Sequence, residues 1–221
     1  MRRRALLVRF IAFAAIAAAL IIAGYFVIRP DDALPVFHPK QLDPRLVDPA
    51  VREKEGEHRI SDFELIDQRG DTITLDAIKD RIIVADFFFT TCPTICPKMT
   101  KNLARVQEAF PHDQRLAILS HSVTPEMDSV PVLDAYARLH GADPDQWHLL
   151  TGDRAQIYAL ARKSYFACLD EGDGGPQDFV HTENIVLVDP NRRIRGFYDG
   201  TSASATDDLI RDISKLMNEQ N

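Results

Sequence analysis

The chain has 221 residues, 45% of them hydrophobic and 27% charged, with a formal net charge of −7. That is apolar material for one packed domain with appendages. The acidic balance argues against non-specific nucleic-acid binding, and three cysteines are too few to build a disulfide scaffold.

In chain order, Arg2, Arg3, Arg4 and Arg9 come first, followed by Phe10 to Ile28, a stretch with no charge. At about 1.5 Å of rise per residue such a helix covers about 28 Å, close to the hydrocarbon thickness of a bilayer. Residues 1–9 are therefore expected as a cytoplasmic basic segment and 10–28 as a transmembrane anchor, with the rest of the chain outside. A cleaved signal peptide is the alternative reading. Its apolar region would be unusually long, and no clear small-x-small site precedes Arg29-Pro30. The first thirty residues hold five arginines and no acid, so removing them takes the charge from −7 to −12.

Pro30, Pro35, Pro39, Pro44 and Pro49 mark 29–58 as a Pro-rich linker, an extended stalk before a domain over 59–221. Phe63 to Ile66 and Thr72 to Thr74 flank Gln68-Arg69-Gly70-Asp71 and read as a small hairpin. Ile82 to Phe89 is too uniformly apolar for half exposure and reads as a central strand covered on both faces. Met99, Leu103, Val106 and Phe110 recur at helical spacing, and Leu116 to Val123 is a second buried strand. Leu133, Tyr136, Ala137 and His140 predict a helix, and Ile157, Leu160 and Ala161 another. Ile185 to Val188 and Ile194 to Tyr198 enclose the antiparallel turn Asp189-Pro190-Asn191-Arg192. Leu209, Ile210, Ile213, Leu216 and Met217 close the chain with an amphipathic helix. The order β-α-β-α-(α)-β-β-α predicts an α/β, thioredoxin-like domain, with Cys92 and Cys96 after its first central strand.

Pro97 belongs in the first turn of a helix, which predicts a helix starting near it with both cysteines in the preceding turn. There the positive helix end favours thiolate, lowering both thiol pKa values. Thiolates serve soft metals such as Cu(I) and also disulfide exchange. Redox pairs of this architecture normally use Cys-x-x-Cys, whereas Pro93, Thr94 and Ile95 intervene here. Cys-Pro-Thr after an apolar strand also resembles peroxiredoxins, but Phe89 and Ala85 stand where those carry a peroxide-polarising threonine and a proline. A plain buried disulfide is the remaining alternative.

With Phe-Thr-Thr-Cys-Pro-Thr-Ile-Cys-Pro over 89–97, the chain resembles the Sco/SenC family of copper-binding, membrane-tethered, thioredoxin-like proteins. The resemblance continues through Ser122-Val123-Thr124-Pro125-Glu126 with Asp128, Leu133-Asp134-Ala135-Tyr136-Ala137 and Gly141-Ala142-Asp143-Pro144. It extends through Trp147-His148-Leu149-Leu150-Thr151-Gly152 and Phe179-Val180-His181-Thr182. It implies ligation of copper, as Cu(I), Cu(II) or both, by Cys92, Cys96 and His181, with His181-Thr182 falling where a thioredoxin carries its cis-proline and threonine. Thr94 and Thr124 replace aspartates common in the family, and Met127 stands where a basic residue is common; none of these changes removes a ligand.

Several other side chains invite comparison. Cys168 is either a resolving thiol or alternative ligand, or a small buried apolar residue. His121 ends a strand at the cysteine edge of the sheet and is a candidate neighbour of the metal. His38, His58, His112, His140 and His148 read as solvent-facing. The acidic run Asp170 to Pro176 lacks the ligand spacing of a calcium cage.

The resemblance implies a metallochaperone of the bacterial inner membrane with its domain on the periplasmic side. Its expected partners are the copper-bearing subunit of cytochrome c oxidase, a periplasmic copper donor and a thioredoxin-like reductant. A periplasmic thiol–disulfide oxidoreductase using Cys92 and Cys96, or a copper or redox sensor, are the alternatives.

Overall fold

A computed structural model of the protein describes residues 13–21, 33–47, 49–53, 56–168 and 182–219. The chain divides into two compact units, Met1–Ala33 and Leu34–Asn221. In the first, residues 13–21 are helical. Among the described residues no helix is long and apolar enough to cross a membrane, and the rest of the expected 10–28 span lies outside them.

The second unit is built on a five-stranded sheet. Strand β3 (Ile82–Phe88) has all seven residues buried, as does β4 (Leu116–Ser122) beside it. The sheet order is β5-β4-β3-β6-β7, with β5 (Trp147–Leu150), β6 (Asn184–Val188) and β7 (Ile194–Asp199). Strands β3, β4 and β5 run parallel, while β6 pairs antiparallel with β3 and β7 antiparallel with β6. The hairpin of β1 (Glu64–Ile66) and β2 (Thr72–Thr74) forms separately, as its turn residues predict.

Strand alternation sorts β3 between two cores. Ile82, Val84 and Phe88 pack with Met99, Leu103 and Val106 of helix α1 (Cys96–Ala109) and with Leu209, Ile213 and Leu216 of the closing helix. Ile83, Ala85 and Phe87 face Phe63, Leu65, Ile157, Leu160, Tyr165 and Phe166. Helix α2 (Val130–His140) ends at Gly141, whose φ of 68° is the left-handed conformation that glycine adopts without strain. Asp153 caps α3 (Arg154–Ala159) by accepting from the Gln156 N–H at 2.7 Å, and a π-helical turn, Leu160–Ser164, continues it. The closing helix is α4 (Ala203–Glu219).

Two features depart from the sequence expectation. Strand β5 lies in a stretch not read as a strand, and the side chain of Gln68 supplies it with a surrogate neighbour. The Gln68 amide donates to the Trp147 carbonyl at 2.8 Å and accepts from the Leu149 N–H at 2.8 Å, covering an otherwise open sheet edge. The second departure is the stretch 34–47, expected to stand clear as a stalk, which instead packs on the domain. Leu34 and Val47 are buried, the Phe37 N–H donates to the Ile194 carbonyl at 2.9 Å, and Phe37 meets Phe197 edge-on at 5.4 Å. The Arg195 guanidinium holds this strap through the carbonyls of Leu34 at 2.6 Å and Pro35 at 3.1 Å. Arg195 also pairs with Asp189 at 3.0 Å and Glu219 at 3.2 Å.

The strap makes the boundary of the folded unit measurable. Fully burying a Val or Leu side chain contributes about 1.5–3 kcal/mol. A fragment beginning at residue 34 is expected to exceed one beginning at residue 59 by about 3 kcal/mol or more in urea unfolding, the lost acceptors of Arg195 adding to the lost apolar cover. Equal stabilities would show that the strap contributes nothing.

Candidate metal centre

The chain leaves β3 at Phe88 and turns immediately, the Cys92 N–H donating to the Phe89 carbonyl at 3.2 Å. Ile95 is the N-cap of α1, and its carbonyl accepts from the N–H groups of Lys98 at 2.9 Å and Met99 at 3.0 Å. Cys96 is therefore the first residue of the helix rather than part of the preceding turn. Pro97 is tolerated just behind it, because its missing N–H falls among the first-turn donors that lack intrahelical partners.

Neither thiol is joined in a disulfide and both are shielded, Cys92 at 6% exposure and Cys96 at 2%. Their acidities diverge, contrary to the expectation that the helix end lowers both. Burial pushes the Cys92 thiol up, but the backbone around Thr94, Ile95 and Cys96, together with the Cys96 thiol, stabilises its thiolate and brings it down to about 7. Burial raises Cys96 to about 12, and the negative charges of Cys92 and Asp86 add to that rise. The Thr94 hydroxyl stands 4.0 Å from the Cys92 sulfur.

Asp86 lies in β3, on the same sheet face as the core that includes both cysteines, and is 2% exposed. Burial pushes its carboxyl up to about 7, offset in part by the Ser120 hydroxyl, and one carboxyl oxygen has no hydrogen-bond partner among the described residues. An acid inside the apolar run 82–89 was the available signal for this group.

His121, a candidate neighbour of the metal, lies instead on the other face of the sheet. Its ring stacks on Phe87 at 4.8 Å and packs near Tyr165, and its Nδ1 lies 3.1 Å from the Asp86 carbonyl. Complete burial brings its pKa down to about 4. Cys168 packs in that same core as a small buried side chain. The neighbouring Ala167 carbonyl accepts from the Thr182 hydroxyl and the Asn184 amide.

His181 and the run 169–180 lie outside the described residues. Among the described residues no group of three His, Cys, Asp or Glu side chains converges as a metal cage, so the thiols of Cys92 and Cys96 are the donors whose setting is visible. Two soft sulfurs at a shielded turn, one already poised to ionise, suit a soft monovalent cation.

Not every other histidine faces solvent. His148 is buried in β5, with Nδ1 3.1 Å from Asp67, and the Nε2 of half-buried His58 lies 2.7 Å from the Ser164 carbonyl. His112 is exposed, as expected.

The SCO1/SenC family model matches residues 51–218. The SCO1 protein homolog of Bacillus subtilis (strain 168) is 31% identical over 158 residues, which cover 71% of this chain and 81% of that protein. The structure of BsSco, described as a member of the Sco family of cytochrome c oxidase assembly proteins, superposes with a TM-score of 0.61 at 29% identity, covering 72% of this chain and 94% of that one. Bradyrhizobium japonicum ScoI with copper bound superposes with a TM-score of 0.55 at 27% identity, covering 69% and 98%.

The split acidity sets a reactivity order. Iodoacetamide is expected to modify Cys92 first, at a rate that climbs through about pH 7, while Cys96 reacts only under strongly alkaline conditions. Equal labelling of the two at pH 7.5, read by peptide mass spectrometry, would contradict it.

The buried ionisable pair sets a stability profile. The Asp86 pKa is higher folded than unfolded, so its contribution is full below about pH 4 and fades as pH rises through about 7. His121 behaves oppositely: its folded pKa is depressed, so its contribution is present above about pH 6.5 and lost as pH falls towards about 4. Asp86→Asn is expected to gain about 2 kcal/mol over wild type at pH 8, an advantage that shrinks towards pH 5 in denaturant titrations.

Proposed function

The chain belongs to the SCO1/SenC family, and on that premise we propose that it is a copper metallochaperone that carries Cu(I) on Cys92, Cys96 and His181. We infer that its acceptor is the binuclear copper centre of cytochrome c oxidase. The observation that carries the reading is the thiol pair itself, two unpaired sulfurs held at a shielded turn after β3 with Cys92 poised as a thiolate near neutral pH. The copper-bound relative ScoI supports the cargo, and BsSco, a member of the Sco family of cytochrome c oxidase assembly proteins, supports its destination.

Copper is the cargo, and its capture is an acid–base and ligand-exchange process. Cys92 supplies the first sulfur because it is already part-ionised at pH 7, and Cys96 loses its proton as the cation bonds to it. Loading releases the thiol protons and leaves copper as Cu(I). Delivery is the reverse exchange: a thiolate of the acceptor attacks the metal while His181 or one cysteine lets go. Oxidation of Cys92 and Cys96 to a disulfide removes two electrons and abolishes the site. A thioredoxin-like reductant must then return those electrons before a copper donor can load it.

Residues 10–28 would anchor the chain in the bacterial inner membrane with 1–9 on the cytoplasmic side and the domain in the periplasm. The uncharged 10–28 stretch behind four arginines supports that orientation. A thiol–disulfide oxidoreductase is the second reading, favoured by the unequal acidity of the pair. A low-pKa thiol beside a high-pKa one is what an attacking and a resolving sulfur require.

Titration of the reduced full-length protein in detergent with Cu(I), in competition with a chelator, separates the two readings. Wild type is expected to bind one Cu(I), with His181→Ala weaker by about tenfold or more and Cys92→Ser weaker still. An unchanged affinity in His181→Ala would remove that residue from the ligand set. A wild type that ignores copper yet rapidly reduces a protein disulfide would turn the assignment to oxidoreductase.

A further inference from the structure

The carboxylate of Asp128, 1% exposed, accepts four hydrogen bonds from two separate segments. Two come from Thr90, its backbone N–H at 3.2 Å and its hydroxyl at 2.5 Å. The others come from the hydroxyls of Ser122 at 2.6 Å and Thr124 at 3.1 Å. Thr90 is the second residue of the turn that the Cys92 N–H closes onto Phe89, whereas Ser122 ends β4 and Thr124 lies just past it. The ladder between β3 and β4 runs out with the Val123 N–H donating to the Phe88 carbonyl at 2.9 Å. Beyond that bond, Asp128 ties the cysteine turn to the neighbouring strand end.

We propose that Asp128 is a positioning residue that clamps the Phe89–Cys92 turn to the end of β4 and thereby fixes where the Cys92 sulfur stands relative to Cys96. The physical case rests on the donors. A buried carboxylate needs several hydrogen bonds to offset its lost hydration, and charge-assisted bonds are the stronger kind. Here two of the four are spent on one residue, and that residue adjoins no part of the Asp128 loop in sequence. The main-chain bond from Thr90 fixes the peptide itself, so the constraint reaches Cys92 through two covalent links rather than through a side chain. Cys96 is held independently by α1, so the separation of the sulfurs depends on the turn. A metal bridging two sulfurs tolerates little error in their separation, and so does a disulfide.

The inference deepens the copper reading and rests on it for its biological meaning, but it can be tested without copper. In the full-length protein in detergent, the dithiol–disulfide equilibrium constant is read against glutathione, and Cu(I) affinity is read by chelator competition. Asp128→Ala is expected to weaken Cu(I) binding about tenfold and Thr90→Val several-fold, the scale of losing hydrogen bonds to a charged group. Thr90→Ser, which keeps both donors, is expected to match wild type. The double variant Asp128→Ala with Thr90→Val is expected to be no worse than Asp128→Ala alone, because both remove the same link. The equilibrium constant should shift in the same order across the series.

A folded Thr90→Val or Asp128→Ala protein with unchanged equilibrium constant and unchanged affinity would overturn the proposal and leave Asp128 a purely structural residue. If Asp128→Ala fails to fold, Thr90→Val against Thr90→Ser decides. A wild type that binds no Cu(I), with the equilibrium constant still shifted in the variants, would sink the copper reading and keep the clamp.

Discussion

A strand with no exposed residue needs apolar cover on both faces and a hydrogen-bonding partner along each edge, and β3 obtains all four from the rest of the domain. Its edges are taken by β4 and β6. One face is covered by α1 and α4, the other by the hairpin and the segment from α3 to Phe166. Because both faces must be filled, the chain leaving β3 at Phe88 has little freedom over where it turns. Phe89 packs against both cores, so the turn carrying the thiols begins from a position fixed on each side of the sheet. The placement of Cys92 and Cys96 is thus a consequence of a fully buried strand, not of the surface around it.

Polarity inside this sheet is placed with equal economy. Asp86 and Ser120 stand opposite each other on one face, and the Ser120 hydroxyl also accepts from the Trp147 indole at 2.9 Å. One register position further on, Phe87 faces His121, whose imidazole lies on the apolar side. The sheet therefore carries a buried acid near the thiols and a buried neutral base behind them, each with one atom that finds no partner among the described residues. Such groups oppose stability when charged, and they lie next to the element that bears the chemistry, a common place for proteins to tolerate electrostatic cost.

How much of this was legible in the sequence depended on whether the deciding interaction was local. The largely apolar runs of β3 and β4, the helical spacing of Met99, Leu103 and Val106, and the turn chemistry around Gly70 and Asn191 all announced their elements. Strand β5 did not, because its four residues acquire a strand's surroundings from the Gln68 side chain 79 positions before Trp147. The strap failed for a related reason: proline content speaks for an extended backbone and says nothing of the arginine that captures its carbonyls. The helix-end argument for Cys96 counted the favourable dipole and omitted both burial and the neighbouring negative charges. His148 looked like a surface residue until Asp67 supplied a buried partner. Of the three implied ligands, Cys92 and Cys96 have a described setting, whereas His181 lies outside the described residues and still rests on its motif.

Arg195 joins three distant parts of the chain: the strap at Leu34 and Pro35, Asp189 at the end of β6, and Glu219 in the last turn of α4. It sits at the start of β7. The first residue of that strand pairs with Val188, which in turn faces Ile83 near the beginning of β3, whereas the cysteines follow the end of β3. Tension entering at the amino-terminal side of the strap is therefore borne by a guanidinium at the far end of the strands from the thiols. In mechanical terms the domain has its hitch at one end of the central strands and its thiols past the other.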